Sequence, residues 1–94
     1  MDVVVRGRNV PSTLRTAAQR KLGRLERMVR DVAWAEVDFS EERNPRIPRR
    51  HRCAVVVHRR HVAVTAHAAA PVPEAALDLV VDKLRHQVTR EKGR

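Results

Sequence analysis

Glu74-Ala-Ala-Leu-Asp-Leu-Val-Val-Asp-Lys-Leu-Arg-His-Gln-Val-Thr-Arg-Glu-Lys92 is the stretch on which the fold turns. Leu77, Val80, Val81, Leu84 and Val88 recur at helical spacing, so one stripe is apolar and must be covered by another layer. Between them the charges run from acidic (Glu74, Asp78, Asp82) to basic (Lys83, Arg85, His86, Arg90, Lys92). That order follows the helix macrodipole and gathers cations at the C-terminal end. What lies upstream decides how the apolar stripe is buried and whether the cations do more than face water.

Upstream, Ala68-Ala-Ala-Pro-Val-Pro73 reads as a connector, preceded by strands Arg52 to His58 and His61 to His67, joined at Arg59-Arg60. Cys53, Val55 and Val57 share one face, as do Val62, Val64 and Ala66. Glu42 to Arg50 holds two prolines and four arginines and reads as a mobile basic loop, an RNA-reaching arm or a solubilising one. Ala33 to Glu41 alternates, with Ala35, Val37 and Phe39 on one side and Trp34, Glu36, Asp38 and Ser40 on the other. A helix from about Thr13 to Arg30 has Ser12 as its expected N-cap and buries Leu14, Ala17, Ala18, Leu22, Leu25 and Val29. Its exposed stripe includes Arg15, Arg20, Lys21, Arg24 and Arg27, balanced on this helix only by Glu26. Glycine in a helix interior costs about 1 kcal/mol relative to alanine, so Gly23 implies close packing beneath it. Asp2 to Arg8 is a strand with Val3 and Val5 inward and Arg6 and Arg8 outward.

The order is therefore β-α-β-β-β-α, one α+β domain over residues 1–94. A four-stranded sheet with both helices packed on one face satisfies every apolar face in two layers. The arrangement resembles double-stranded RNA-binding domains. It puts both basic helix stripes on one outer surface, with Arg6 and Arg8 at its rim.

Composition narrows the partner. Only 2% of residues are aromatic against 43% hydrophobic, so the core is built from valine, leucine and alanine. Twenty Lys+Arg against eleven Asp+Glu leave a formal charge of +9, which argues for a polyanion bound through counterion release. No helix is both basic and lined with large exposed apolar groups, which argues against a membrane surface. The single cysteine, Cys53, excludes an internal disulfide and fits a reducing, cytoplasmic setting. No apolar stretch approaches the ~18 residues of a membrane span.

Catalytic and metal readings find little support. Ser12, Ser40 and Cys53 lie in no recognisable catalytic context, and there is no glycine-rich phosphate loop. The expectation is no enzyme, no cofactor and no small-molecule substrate. His51, Cys53, His58, His61 and His67 fall close together, but alternation puts Cys53 on the core face and His58, His61 and His67 mostly on the other. No metal site is expected. Trp34 lacks companion aromatics for an RNA-stacking platform, so packing against a strand or a protein partner is the expectation. Asp78 and Asp82 are explained by salt bridges or by the helix dipole.

Together, several motifs resemble one family. They are Val5-x-Gly7-x-Asn9-Val10, Leu14-Arg15, Arg20-Lys21-Leu22-Gly23-Arg24-Leu25-Glu26, Glu42-Arg43-Asn44-Pro45-Arg46-Ile47, and Ala75-Ala76-x-Asp78-x-x-x-Asp82-Lys83-Leu84-x-x-Gln87 with Arg90 and Lys92. In order and spacing the chain resembles the ribosome hibernation promoting factors, also called ribosome-associated inhibitors or sigma-54 modulation proteins, as a short form or N-terminal domain. The resemblance implies the same β-α-β-β-β-α fold. It implies a stress-phase protein in the decoding channel of the small ribosomal subunit, blocking messenger RNA and A- and P-site transfer RNA. It further implies that Lys21, Arg24, Lys83, Arg90 and Lys92 meet 16S-type rRNA.

With the remaining basic positions, the expected rRNA-binding set is Arg6, Arg8, Arg20, Lys21, Arg24, Arg27, Lys83, Arg85, His86, Arg90 and Lys92. His86 stands where the family commonly has Arg or Lys, and the connector lacks its usual Gly-x-Asp. Without a C-terminal pairing domain the expected state is a monomer. The rivals are a general structured-RNA binder and a protein-interaction regulator using the open sheet face at Trp34 and Val56.

Overall fold

The computed structural model describes residues 2–29 and 31–92, with side chains through Val88. The elements are β1 (Asp2–Gly7), α1 (Ser12–Glu26), β2 (Val32–Glu41), β3 (His51–Arg59), β4 (Ala63–Ala70) and α2 (Pro73–Lys92). The sheet order is β1-β2-β3-β4, with β1 parallel to β2 and the other two pairings antiparallel. Strands β1, β2 and β4 therefore share a direction, and each helix returns antiparallel to the strand before it, so α1 and α2 run side by side in the same sense.

Both helices lie on one face of the sheet. Val5, Ala35, Val37, Phe39, Cys53, Val55, Val57, Val64 and Ala66 are the inward strand positions. They meet Leu14, Ala18, Leu22 and Leu25 of α1 and Leu77, Val80, Leu84 and Val88 of α2. Period-two and period-3.6 patterns thus converge on one aliphatic core, as the alternation and the stripes require.

Local chemistry shifts several boundaries. Pro11, not Ser12, occupies the N-cap of α1, with extended backbone angles and no side-chain cap; Ser12 is already helical. The helix closes at Glu26 rather than Arg30 because the amides of Arg27, Met28 and Val29 bond three residues back, to Arg24, Leu25 and Glu26. Such i→i−3 bonds tighten a last turn and end it. Val29 remains buried beyond the helix. Strand β4 starts at Ala63 and runs on to Ala70, where Pro71, which lacks an N–H, stops pairing. Val62 consequently sits in the β3–β4 turn, 53% exposed, instead of on the core face. Nothing packs against Gly23: a Cβ there meets no atom within 4 Å.

Gly7 is the glycine that the fold requires. Its φ is +146°, and a Cβ would approach the Phe39 carbonyl at 2.7 Å and Val10 Cγ2 at 2.8 Å. Asn9 follows at φ 55°, a left-handed turn that asparagine tolerates. The Val5-x-Gly7-x-Asn9-Val10 motif is therefore the crossover that carries β1 into α1.

Candidate rRNA-binding surface

Arg20 and Arg24 on α1 and Arg27 at its C-cap lie at i, i+4 and i+7, one exposed stripe two turns long. Arg20 opens the stripe in the groove between the helices, beside Thr16, Ala17, Pro73 and Glu74. None of the three has an ion-pair partner among the described residues. On α2, Arg85 is seven residues beyond Asp78 and so on the same α1-facing stripe; its guanidinium lies 3.8 Å from Asp82. His86 is exposed on the outer surface of α2. The side chains of Arg90 and Lys92 lie outside the described residues.

Besides Arg85, which Asp82 partners, four expected members sit elsewhere or already have partners. Lys21 is not on the exposed stripe: its side chain is 17% exposed and bridges Glu74 at 3.7 Å and Asp78, both on α2. Helical spacing could have shown this, since Ala17, Lys21 and Leu25 fall one turn apart on the buried stripe. Lys83 leaves the α1 side altogether and donates to the His67 carbonyl of edge strand β4 at 2.7 Å. Arg6 points to the open sheet face, opposite the helices, because Val5 points inward; it pairs with Glu36 at 3.2 Å. Arg8 is exposed in the β1–α1 turn, away from the helix stripe.

Arg8 lines an open groove of about 870 Å³ with Phe39, Glu42, Arg43 and Arg50. The 42–50 loop on its other wall is organised. Glu42 N–H bonds the Arg50 carbonyl at 2.6 Å, and Asn44 holds a turn through the amides of Arg46 and Ile47. Arg50 is tied to Glu41 at 3.3 Å, whereas Arg43, Arg46 and Arg49 face solvent.

Gln87 has a role that its motif position did not suggest, and Arg15 leaves the basic stripe on which helical spacing had placed it. Gln87 donates to the Thr65 carbonyl at 3.1 Å, one turn from Lys83, so α2 covers the free edge of β4 with two side chains. Exposed edges invite pairing with other chains, and long polar side chains blunt that tendency. Arg15 similarly reaches the Val5 carbonyl on edge strand β1 at 3.3 Å.

Among the described residues, the opposite sheet face carries no comparable cation stripe. Trp34 stacks on His58 with centroids 4.2 Å apart, and His58 Nε2 lies 3.0 Å from Glu36. The expected packing of Trp34 against a neighbouring strand is what the structure shows, and Val56 beside it is half-buried. Cys53 is fully buried; burial, and secondarily the Asp38 carboxylate, push its thiol from 9.0 up to about 12. Among the described residues, no three of His, Cys, Asp and Glu come together to hold a metal, and no helix is long and apolar enough to cross a membrane.

The comparisons agree with this architecture. No match was found among curated protein sequences. The ribosomal subunit interface protein from Coxiella burnetii superposes with a TM-score of 0.80 at 17% identity, over 99% of this chain and 97% of that one. The Thermus thermophilus Protein Y N-terminal domain superposes with a TM-score of 0.76 at 25% identity, over 96% and 98%. A family profile described as sigma 54 modulation protein / S30EA ribosomal protein matches residues 3–94. With profile, strand order and motif order in accord, the chain belongs to the sigma 54 modulation protein / S30EA ribosomal protein family, whose members associate with ribosomes and regulate translation.

Proposed function

We propose that this protein silences ribosomes by occupying the decoding channel of the small subunit, its two-helix face against 16S-type rRNA. There it excludes messenger RNA and A- and P-site transfer RNA by volume, with no chemistry. Bound to ribosomes, it works in the cytoplasm. The observation that carries this reading is the arginine stripe Arg20, Arg24 and Arg27, which has no ion-pair partner among the described residues and is continued across the interhelical groove by Arg85, itself beside Asp82, on a chain of charge +9. Guanidinium groups match phosphate oxygens with paired N–H donors, and a helix holds them at a fixed spacing.

Co-sedimentation with purified small subunits over a salt series tests it, alongside translation in an extract with competing transfer RNA. Four phosphate contacts imply a log–log salt slope of about −3 to −4, hence a loss on the order of a hundredfold between 50 and 200 mM salt. Inhibition should be relieved by excess transfer RNA. A flat salt response, or equal affinity for any RNA duplex, would sink the reading.

A further inference from the structure

We propose that Lys21 and Lys83, two cations matching the family's basic positions, are positioning residues that set α2 between α1 and β4, leaving phosphate to the arginines. The proposal rests on the reading above that the two-helix face meets RNA. Lys21 belongs to the buried stripe of α1, and its ammonium is shared by two carboxylates of α2. Those carboxylates are more exposed than the lysine, at 63% and 57% against 17%, so an approaching phosphate meets Glu74 and Asp78 first. One cation flanked by two anions has a net local charge of −1 and does not attract a polyanion. Lys83 lies on the other flank of α2, where its hydrogen bond to the His67 carbonyl leaves the charge intact but holds it over the β4 edge, away from the α1-facing arginines.

The two lysines therefore pull α2 in opposite directions across the sheet, one toward α1 and one toward β4. This matters for recognition because Arg85 rides on α2 while Arg20, Arg24 and Arg27 ride on α1. The spacing between those two sets is the spacing of phosphates that the face can neutralise together. Phosphate contacts fix register, and a face already set before binding loses less freedom when it binds.

Small-subunit co-sedimentation over a salt series, paired with thermal melts, tests the proposal on the full chain. Arg24→Gln should flatten the salt slope by about one unit and leave the melt unchanged, as loss of one phosphate contact requires. Lys21→Met should lower affinity a few-fold at every salt concentration with the slope unchanged, and lower the melt; Lys21→Arg should restore both. Lys83→Met and Lys83→Arg should repeat that pattern. Asp78→Asn supplies the sign. It removes a negative charge from a basic face, so a phosphate-binding Lys21, set free, would tighten binding, whereas a clamp loses affinity and stability. Tighter binding by Asp78→Asn, or a slope reduced by one in Lys21→Met with an unchanged melt, overturns the proposal. If the wild-type chain binds no subunits, the functional reading fails, and the melts alone decide the clamp. Non-additive losses in Lys21→Met and Asp78→Asn support it; additive ones overturn it.

Discussion

Gly7 and Gly23 occur in neighbouring segments and carry opposite consequences. At Gly7 a methyl group meets backbone and the φ of +146° excludes ordinary side chains, so Gly7→Ala should cost about 2 kcal/mol or more in a denaturant melt. At Gly23 the space is open and the backbone helical, so Gly23→Ala should stabilise by about 1 kcal/mol, a rise of roughly 4–8 °C in melting temperature. The expectation of tight packing at Gly23 came from propensity alone, which knows the cost of a helical glycine but not its surroundings. Cys53 is the third informative residue. Its folded thiol titrates near 12 rather than 9.0, so the neutral form is favoured by folding. The associated stability is complete below about pH 9 and is lost as pH rises from there toward 12. A disulfide reagent at pH 8 should react only as the chain opens. Denaturant melts from pH 9 to 11 should lose stability more steeply in the wild type than in Cys53→Ala.

Among the elements, the strands and helices follow from hydrophobic period, and the errors lie at their ends. Val62 continues the alternation of Val64 and Ala66, yet the turn captures it because the Arg59 amide closes on the Val62 carbonyl at 3.0 Å. Val62→Ser should therefore change stability by less than about 0.5 kcal/mol. Val64→Ser places a hydroxyl in the core and should cost more than about 2 kcal/mol. Comparing the two urea midpoints locates the start of β4. Helix ends were misplaced for the same kind of reason: a proline at the cap and three short-range amide bonds at the close outweighed the side-chain signals. Beyond the ends, α2 is held by polar side chains on both flanks as well as by its apolar stripe, through Lys21 to α1 and through Lys83 and Gln87 to β4.

For the whole molecule, charge is unevenly placed. The helix side bears the arginine stripe, without ion-pair partners among the described residues, whereas the open sheet face sets Arg6 and Arg52 against Asp2, Glu36 and Asp38. A comparison of equal charge changes tests whether face or total charge governs binding. Arg24→Glu and Arg52→Glu each shift the net charge by two units. Arg24→Glu should weaken small-subunit binding at least tenfold in low salt, and Arg52→Glu no more than a few-fold. Equal losses would mean that total charge, not the helix face, provides the affinity.

The sequence by itself determined the element order, the sheet with both helices on one face, and nearly all of the core. Those properties depend on local period and on the need to bury each apolar face once. Of the expected set, it placed Arg20, Arg24 and Arg27 together on one exposed face, because residues at i, i+4 and i+7 of a helix share a side. Only the tertiary structure decided which cations are available. Whether a cation is ion-paired, tethered by a hydrogen bond or left to solvent depends on groups far away in sequence: Asp78 for Lys21, the His67 carbonyl for Lys83, Glu36 for Arg6. A count of charges along one helix cannot contain those partners, because they arrive only when the chain folds.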